Sequence, residues 1–134
     1  MKISTYHKLK GDFVQFVKGC VPQFRQQQWD RVYVSTLFTF MWKTTADTID
    51  YYRRAVASPE DIIVGGVMAT LLGDELHQQT GATVIPGLLD KPGMLDPGDK
   101  HRVDTLIPDY CMLEQIDYDY GLNGIYWLCH QGLP

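Results

Sequence analysis

Two short segments hold residue types suited to a ligand crevice. Ser35-Thr36-Leu37 closes one apolar, β-branched run and Gly65-Gly66 closes another, with residues 38–64 between them. A small hydroxyl side chain leaves room for the edge of a flat ligand and offers it a hydrogen bond. Paired glycines allow close approach to a backbone that a Cβ would block. If both runs are strands of one open parallel sheet, both segments lie at carboxyl ends, the side on which such sheets bind ligands. Ser35, Thr36, Leu37, Gly65 and Gly66 are therefore the candidate cofactor-binding residues. The same residues also suit ordinary strand-to-helix turns, which favour small side chains.

Other reactive residue types do not assemble into a site. Glu114, Asp117 and Asp119 lie beside Tyr118 and Tyr120. A carboxylate pair there would suit acid–base work, but such a run reads as a solvated loop. His7, His77 and His101 have unlike surroundings and no metal-ligand spacing, so they read as surface or loop histidines. Cys20, Cys111 and Cys129 are odd in number and contain no CxxC pair. They form neither a disulfide framework nor a zinc or iron–sulfur signature, which points to a reducing compartment. Trp29, Trp42 and Trp127 have the rings to stack a planar ligand, yet packing is their usual role. No catalytic residue and no metal ligand is assigned, and the chain is expected not to be an enzyme.

Composition sets the wider limits. With 134 residues, 45% of them hydrophobic and 21% charged, the chain suits one soluble domain with a core of its own. A net charge of −4 argues against a nucleic-acid groove, which needs concentrated basic surface. The basic doublet Arg53-Arg54 reads as the wet side of a helix. The N-terminus lacks an apolar signal core, and the apolar run from Ile62 to Leu72 is too short to span a bilayer. A soluble, cytoplasmic protein without membrane contact is expected.

The elements that must position these residues alternate between helix and strand, the pattern of a layered α/β domain with a mainly parallel sheet. Ile3, Tyr6 and Leu9 recur at helical spacing over Lys2 to Lys10, and Gly11-Asp12 supplies a stop. Phe13 to Val17 reads as a strand and Gln23 to Gln28 as a polar connection. A second strand lies within Arg31 to Phe40, centred on Val32-Tyr33-Val34. A helix fits Thr45 to Ala57 with Ala46, Ile49 and Val56 on one face. Asp61 to Val64 reads as a buried strand. Val67 to Gln79 fits a second helix with Met68, Leu71, Leu72 and Leu76 inward, stopped by Thr80-Gly81, and Ala82 to Ile85 reads as an edge strand. Residues 86–110 read as a long ordered loop, because Leu88, Leu89, Met94, Leu95, Leu106 and Ile107 need packing partners. Within it Lys91-Pro92-Gly93-Met94 suits a type II turn. Ile125 to Cys129 is again strand-like.

The SxL and GG elements at this spacing resemble signature elements of cobalamin-binding domains. Successive blocks look like those of a radical-SAM family with such an N-terminal module. They read Met1-Lys2-Ile3-Ser4-Thr5-Tyr6-His7-Lys8, Val34-Ser35-Thr36-Leu37-Phe38-Thr39, Val64-Gly65-Gly66-Val67-Met68-Ala69, Gly87-Leu88-Leu89-Asp90-Lys91-Pro92-Gly93 and Asp104-Thr105-Leu106-Ile107-Pro108-Asp109-Tyr110. The resemblance implies a flavodoxin-like, cobalamin-binding-like three-layer domain over residues 1–134, with 86–134 a loop-rich C-terminal extension. It also implies that the domain is truncated at both ends. The first strand and the cobalamin-ligating DxHxxG element would lie before Met1, and His7, inside a predicted helix, is no substitute. At the other end Leu133 stands where the family's CxxxCxxC motif would begin, so no iron–sulfur cluster is expected.

In that layout the missing first strand is central, and its two neighbours are expected to need a filler, either Ile125 to Cys129 or a strand from a second copy. The leading functional expectation is a non-catalytic binding protein without a cofactor, acting on a protein partner or by self-association. A mobile-element or phage inhibitor of a host system is one example. The alternatives are a cobalamin- or small-ligand-binding module of a split radical-SAM enzyme, and a fragment of a longer enzyme.

Overall fold

In the computed structural model, which describes residues 1–17, 20–36 and 38–111, the alternation of helix and strand gives an α/β arrangement around a small parallel sheet. The chain divides into two compact units. One comprises Met1–Lys18 with Leu89–Pro134, the other Gly19–Leu88. The elements in chain order are α1 (Lys2–Leu9), α2 (Pro22–Arg25), β1 (Val32–Thr36), α3 (Trp42–Tyr52), β2 (Ile62–Gly66), α4 (Val67–Thr80) and β3 (Thr83–Val84).

The 19–88 unit carries the sheet. Its order is β1-β2-β3, and both pairings are parallel. Val32 lies opposite Ile62 and the register runs through to Thr36 opposite Gly66. In the expected layout β1 and β2 are adjacent, so this pairing agrees with it. The vacant position would lie on the other edge of β1, between it and the Phe13 to Val17 run, and no strand among the described residues occupies it. The core gathers Ile49 of α3, Ile62 and Val64 of β2, Met68, Ala69 and Leu76 of α4, with Val56 and Ala82 beside them.

Several boundaries differ from those read in the sequence. The 23–28 connection contains a helical turn, because Pro22 occupies the first helical position, where a missing N–H costs nothing. The run to Phe40 leaves the sheet at Thr36, and Thr39–Met41 winds into a 3-10 turn. The helix expected from Thr45 to Ala57 begins at Trp42 and ends at Tyr52, while Val56 is extended and still buried. Helix α4 stops where expected. Gly81 takes a left-handed conformation (φ 75°) and its N–H donates to the His77 carbonyl. Leu71 faces outward, however. Leu72 has non-helical angles inside α4 (φ −124°, ψ 28°), and that kink breaks the single apolar stripe that unbroken periodicity implies.

In the other unit α1 forms as read and buries Tyr6. Phe13 to Val17 is not a strand, and Phe13 is 79% exposed. A β-prone run needs a paired neighbour to become a strand, and the described residues supply none. Leu95 and Val103 of the long loop are buried. Gly93 has φ 78°, as a type II turn at Pro92-Gly93 requires. Ile107 and, in the sheet unit, Leu88 are exposed rather than packed. The strand-like segment Ile125 to Cys129 lies outside the described residues, as do Glu114, Asp117, Asp119, Tyr118, Tyr120 and Trp127.

Candidate functional site

The parallel register brings four of the five candidate residues to one edge. Ser35 lies opposite Gly65 and Thr36 opposite Gly66, at the carboxyl ends of β1 and β2. Leu37 lies outside the described residues. The Ser35 residue is exposed, whereas Thr36 is buried.

Thr36 turns its hydroxyl into the protein. Oγ1 donates to the Gly65 carbonyl at 2.8 Å and accepts the Ala69 N–H at 3.1 Å. Ala69 is the third residue of α4, where an N–H has no partner within the helix. The residue preceding α4 is Gly66, which has no side chain to cap it. Thr36 therefore supplies from the neighbouring strand the oxygen that a serine or threonine cap ordinarily provides.

Gly66 is explained by the same packing. Its φ is 110°, and a Cβ there would sit 2.0 Å from the Thr36 carbonyl oxygen. Glycine is needed for β2 to turn into α4 against β1. A Cβ on Gly65, by contrast, would meet only the Ile85 carbonyl at 3.8 Å, an ordinary contact. Thr36 and Gly66 thus stitch strand to helix, while Ser35 and Gly65 are left at the rim.

The segments that form this edge are largely apolar. Residues 32–42, 62–73 and 82–89 contain no Asp, Glu, Lys or Arg. Phe38 and Phe40 leave β1 as a stacked pair, with ring centroids 5.0 Å apart and planes 10° from parallel. Phe38 is 51% exposed and Phe40 78%. Met41, Val67, Leu71 and Leu88 are also exposed. Sequence reading missed this surface. Its signal was the uncharged run Phe38-Thr39-Phe40-Met41, which strand periodicity absorbs into the apolar pattern.

Along α4 and β3 lies an open cavity of about 580 Å³, bordered by Thr70, Leu72, Asp74, His77, Thr83 and Pro86. Two of its polar lining residues, Thr70 and His77, are engaged internally. Thr70 Oγ1 donates to the Gly66 carbonyl at 2.9 Å and accepts the Gly87 N–H at 2.8 Å, and His77 Nδ1 lies 2.7 Å from the Ala82 carbonyl.

A polar cluster occupies the other unit. Tyr6 Oη lies 2.8 Å from Asp96 Oδ2 and 2.9 Å from Asp99 Oδ2, and Lys10 Nζ meets the same two oxygens. Asp99 Oδ1 also accepts the His101 N–H and contacts His101 Nδ1. The His101 backbone bond, then Lys10 and the His101 ring, hold the Asp99 carboxyl below the usual carboxylate range. Burial, reinforced by the two carboxylates, pushes the Tyr6 phenol up to about 12. Its bonds to Asp96, Tyr6 and Asp99 raise Lys10. These shifts belong to an ion-pair and hydrogen-bond network in which Asp96 and Asp99 share the single Lys10 ammonium and are engaged with one another's partners rather than poised for proton transfer. His7 pairs separately with Asp12 at 2.8 Å. Among the described residues no group of three or more His, Cys, Asp or Glu side chains is arranged to hold a metal ion. No helix among them is long and apolar enough to cross a membrane.

Comparison with protein-family models, with curated proteins and with solved structures finds no match to this chain.

Proposed function

We propose that this chain is a non-catalytic binding protein whose carboxyl sheet edge docks onto another protein. The observation that carries this reading is the charge-free segments at that edge, on which Phe38, Phe40, Met41, Val67 and Leu71 are exposed. Aromatic and methionine enrichment with loss of charge is the signature of an interface centre. A nucleic-acid or anionic lipid surface would instead call for concentrated lysine and arginine. We read the sheet unit as derived from a flavodoxin-like, cobalamin-binding-like domain, with the old ligand edge reused as a protein-binding face. An inhibitor of a host system is one role such a face would serve.

The test places a photo-crosslinking side chain at Phe40 and, as a control, at Glu60 near the other end of β2. A partner crosslinked from Phe40 alone is then purified and its affinity measured. Phe38→Ser with Phe40→Ser should weaken binding by at least about tenfold, as loss of a central aromatic anchor does. Equal crosslinking from both positions, or unchanged affinity of the double variant, would refute the reading.

Ser35 and Gly65 favour a second reading, a module binding a cobalamin or another small ligand, because both remain at the rim after Thr36 and Gly66 are engaged. A visible-spectrum titration with cobalamin tests it, and absence of any spectral change removes it.

A further inference from the structure

The unit built around α1 is held by charge to a degree that the sheet unit is not. Lys2 Nζ donates to the Asp104 carbonyl at 2.6 Å and pairs with its carboxylate at 3.2 Å. Ser4 Oγ and Lys8 Nζ both meet Asp109 Oδ2 at 2.6 Å. Lys10 Nζ meets Asp96 and Asp99 at 2.8 and 2.9 Å. The i, i+4 steps from Ser4 to Lys8 and from Tyr6 to Lys10 bring paired contacts onto neighbouring patches of one helix face. Lys2 and Lys8 of α1 and Lys10 at its C-terminal cap thus engage four aspartates more than eighty residues away in sequence.

Apolar burial among the described residues of this unit is slight. Tyr6, Leu95 and Val103 are its buried hydrophobic residues among those described. The sheet unit buries Ile49, Val56, Ile62, Val64, Met68, Ala69, Leu76 and Ala82 together. Burial of apolar area is little weakened by simple salt, whereas partly exposed ion pairs are screened. The screening length falls from about 10 Å at 0.1 M to about 3 Å at 1 M.

We propose that α1 and residues 95–109 form an electrostatic clasp that opens as a unit of its own, before the sheet unit, when its lysine–aspartate pairs are screened or removed. Opening leaves the net charge of the chain unchanged. It separates Lys2, Lys8 and Lys10 from the carboxylates of Asp96, Asp99, Asp104 and Asp109, leaving two surfaces of opposite sign. Regions held by few apolar contacts are those that open at low free energy.

Hydrogen–deuterium exchange of the full chain at fixed pH, at low salt and in about 1 M NaCl, tests the clasp. Amides of α1 and of residues 95–109 should exchange at least about tenfold faster in high salt, while those of β2 and α4 keep their protection. Lys8→Met with Lys10→Met should produce the same local acceleration at low salt, and Lys8→Arg with Lys10→Arg should restore protection. Salt-independent exchange in α1, or equal acceleration in both units, would overturn the proposal. The salt series uses the unaltered chain, so the outcome stands even if the methionine variant does not fold.

Discussion

Replacing Thr36 with valine isolates the trans-strand cap, because valine keeps the shape of threonine and removes its oxygen. The variant loses the bond to the Gly65 carbonyl and leaves the buried Ala69 N–H without the acceptor it now has at 3.1 Å. Loss of a cap costs about 1 kcal/mol, and stranding a buried polar group costs about 1–3 kcal/mol. These two figures overlap, since the stranded donor is the capped one, so the expected loss is about 2–3 kcal/mol. With a urea slope of about 1–3 kcal/mol per molar, the midpoint should fall by roughly 0.7–3 M with the slope unchanged. Thr36→Ser keeps both bonds and loses one methyl, so its loss should stay near about 1 kcal/mol. Circular dichroism against urea measures both variants, and exchange of the Ala69 amide identifies the cause. If Thr36→Val matches the unaltered protein, or if Thr36→Ser is as damaging as Thr36→Val, the capping argument is wrong.

Gly66→Ala should be worse than either, by more than about 3 kcal/mol, because its Cβ would collide with the Thr36 carbonyl oxygen at a strained φ; loss of soluble folded protein or of the cooperative transition is the readout. Gly73 lies where a Cβ would come 2.9 Å from Val84 Cγ1. Gly73→Ala should therefore destabilise the unaltered protein, yet stabilise a Val84→Ala background, where alanine's helix preference of about 1 kcal/mol is no longer opposed by contact. A double-mutant cycle in urea checks this, and the same sign in both backgrounds would contradict it.

Local chemistry made parts of this structure legible in advance. Helix α4 announced itself by apolar spacing and by Gly81, and β2 by its short apolar run before a glycine pair. What failed were properties that depend on partners distant in sequence. Phe13 to Val17 has the composition of a strand, but strand formation is settled by the neighbour that accepts its hydrogen bonds. Leu71 falls on the predicted inner face only if α4 is unbroken, and the one local marker of the kink at Leu72 is the glycine beside it, Gly73, which apolar periodicity passes over. The ion pairs of Lys2, Lys8 and Lys10 had no local signal, because their aspartates lie far along the chain.

The candidate crevice teaches a different lesson about the same residue types. Ser35-Thr36 and Gly65-Gly66 were singled out because small and hydroxylic residues at strand ends admit a ligand. The register puts Thr36 against Gly66 and points the hydroxyl at the first turn of α4, so the requirement for both residues follows from strand-to-helix packing alone. A hydroxyl that already donates and accepts would have to leave α4 uncapped to bind anything else. Under the proposed function, recognition at this edge would come from groups the fold does not consume, among them the exposed apolar side chains beside it. Phe38 and Phe40 make no contribution to the described core yet stand ordered as a stacked pair on the rim. Exposed aromatic rings cost hydration without adding to the core, and the proposed docking face would give these two a use that the fold does not.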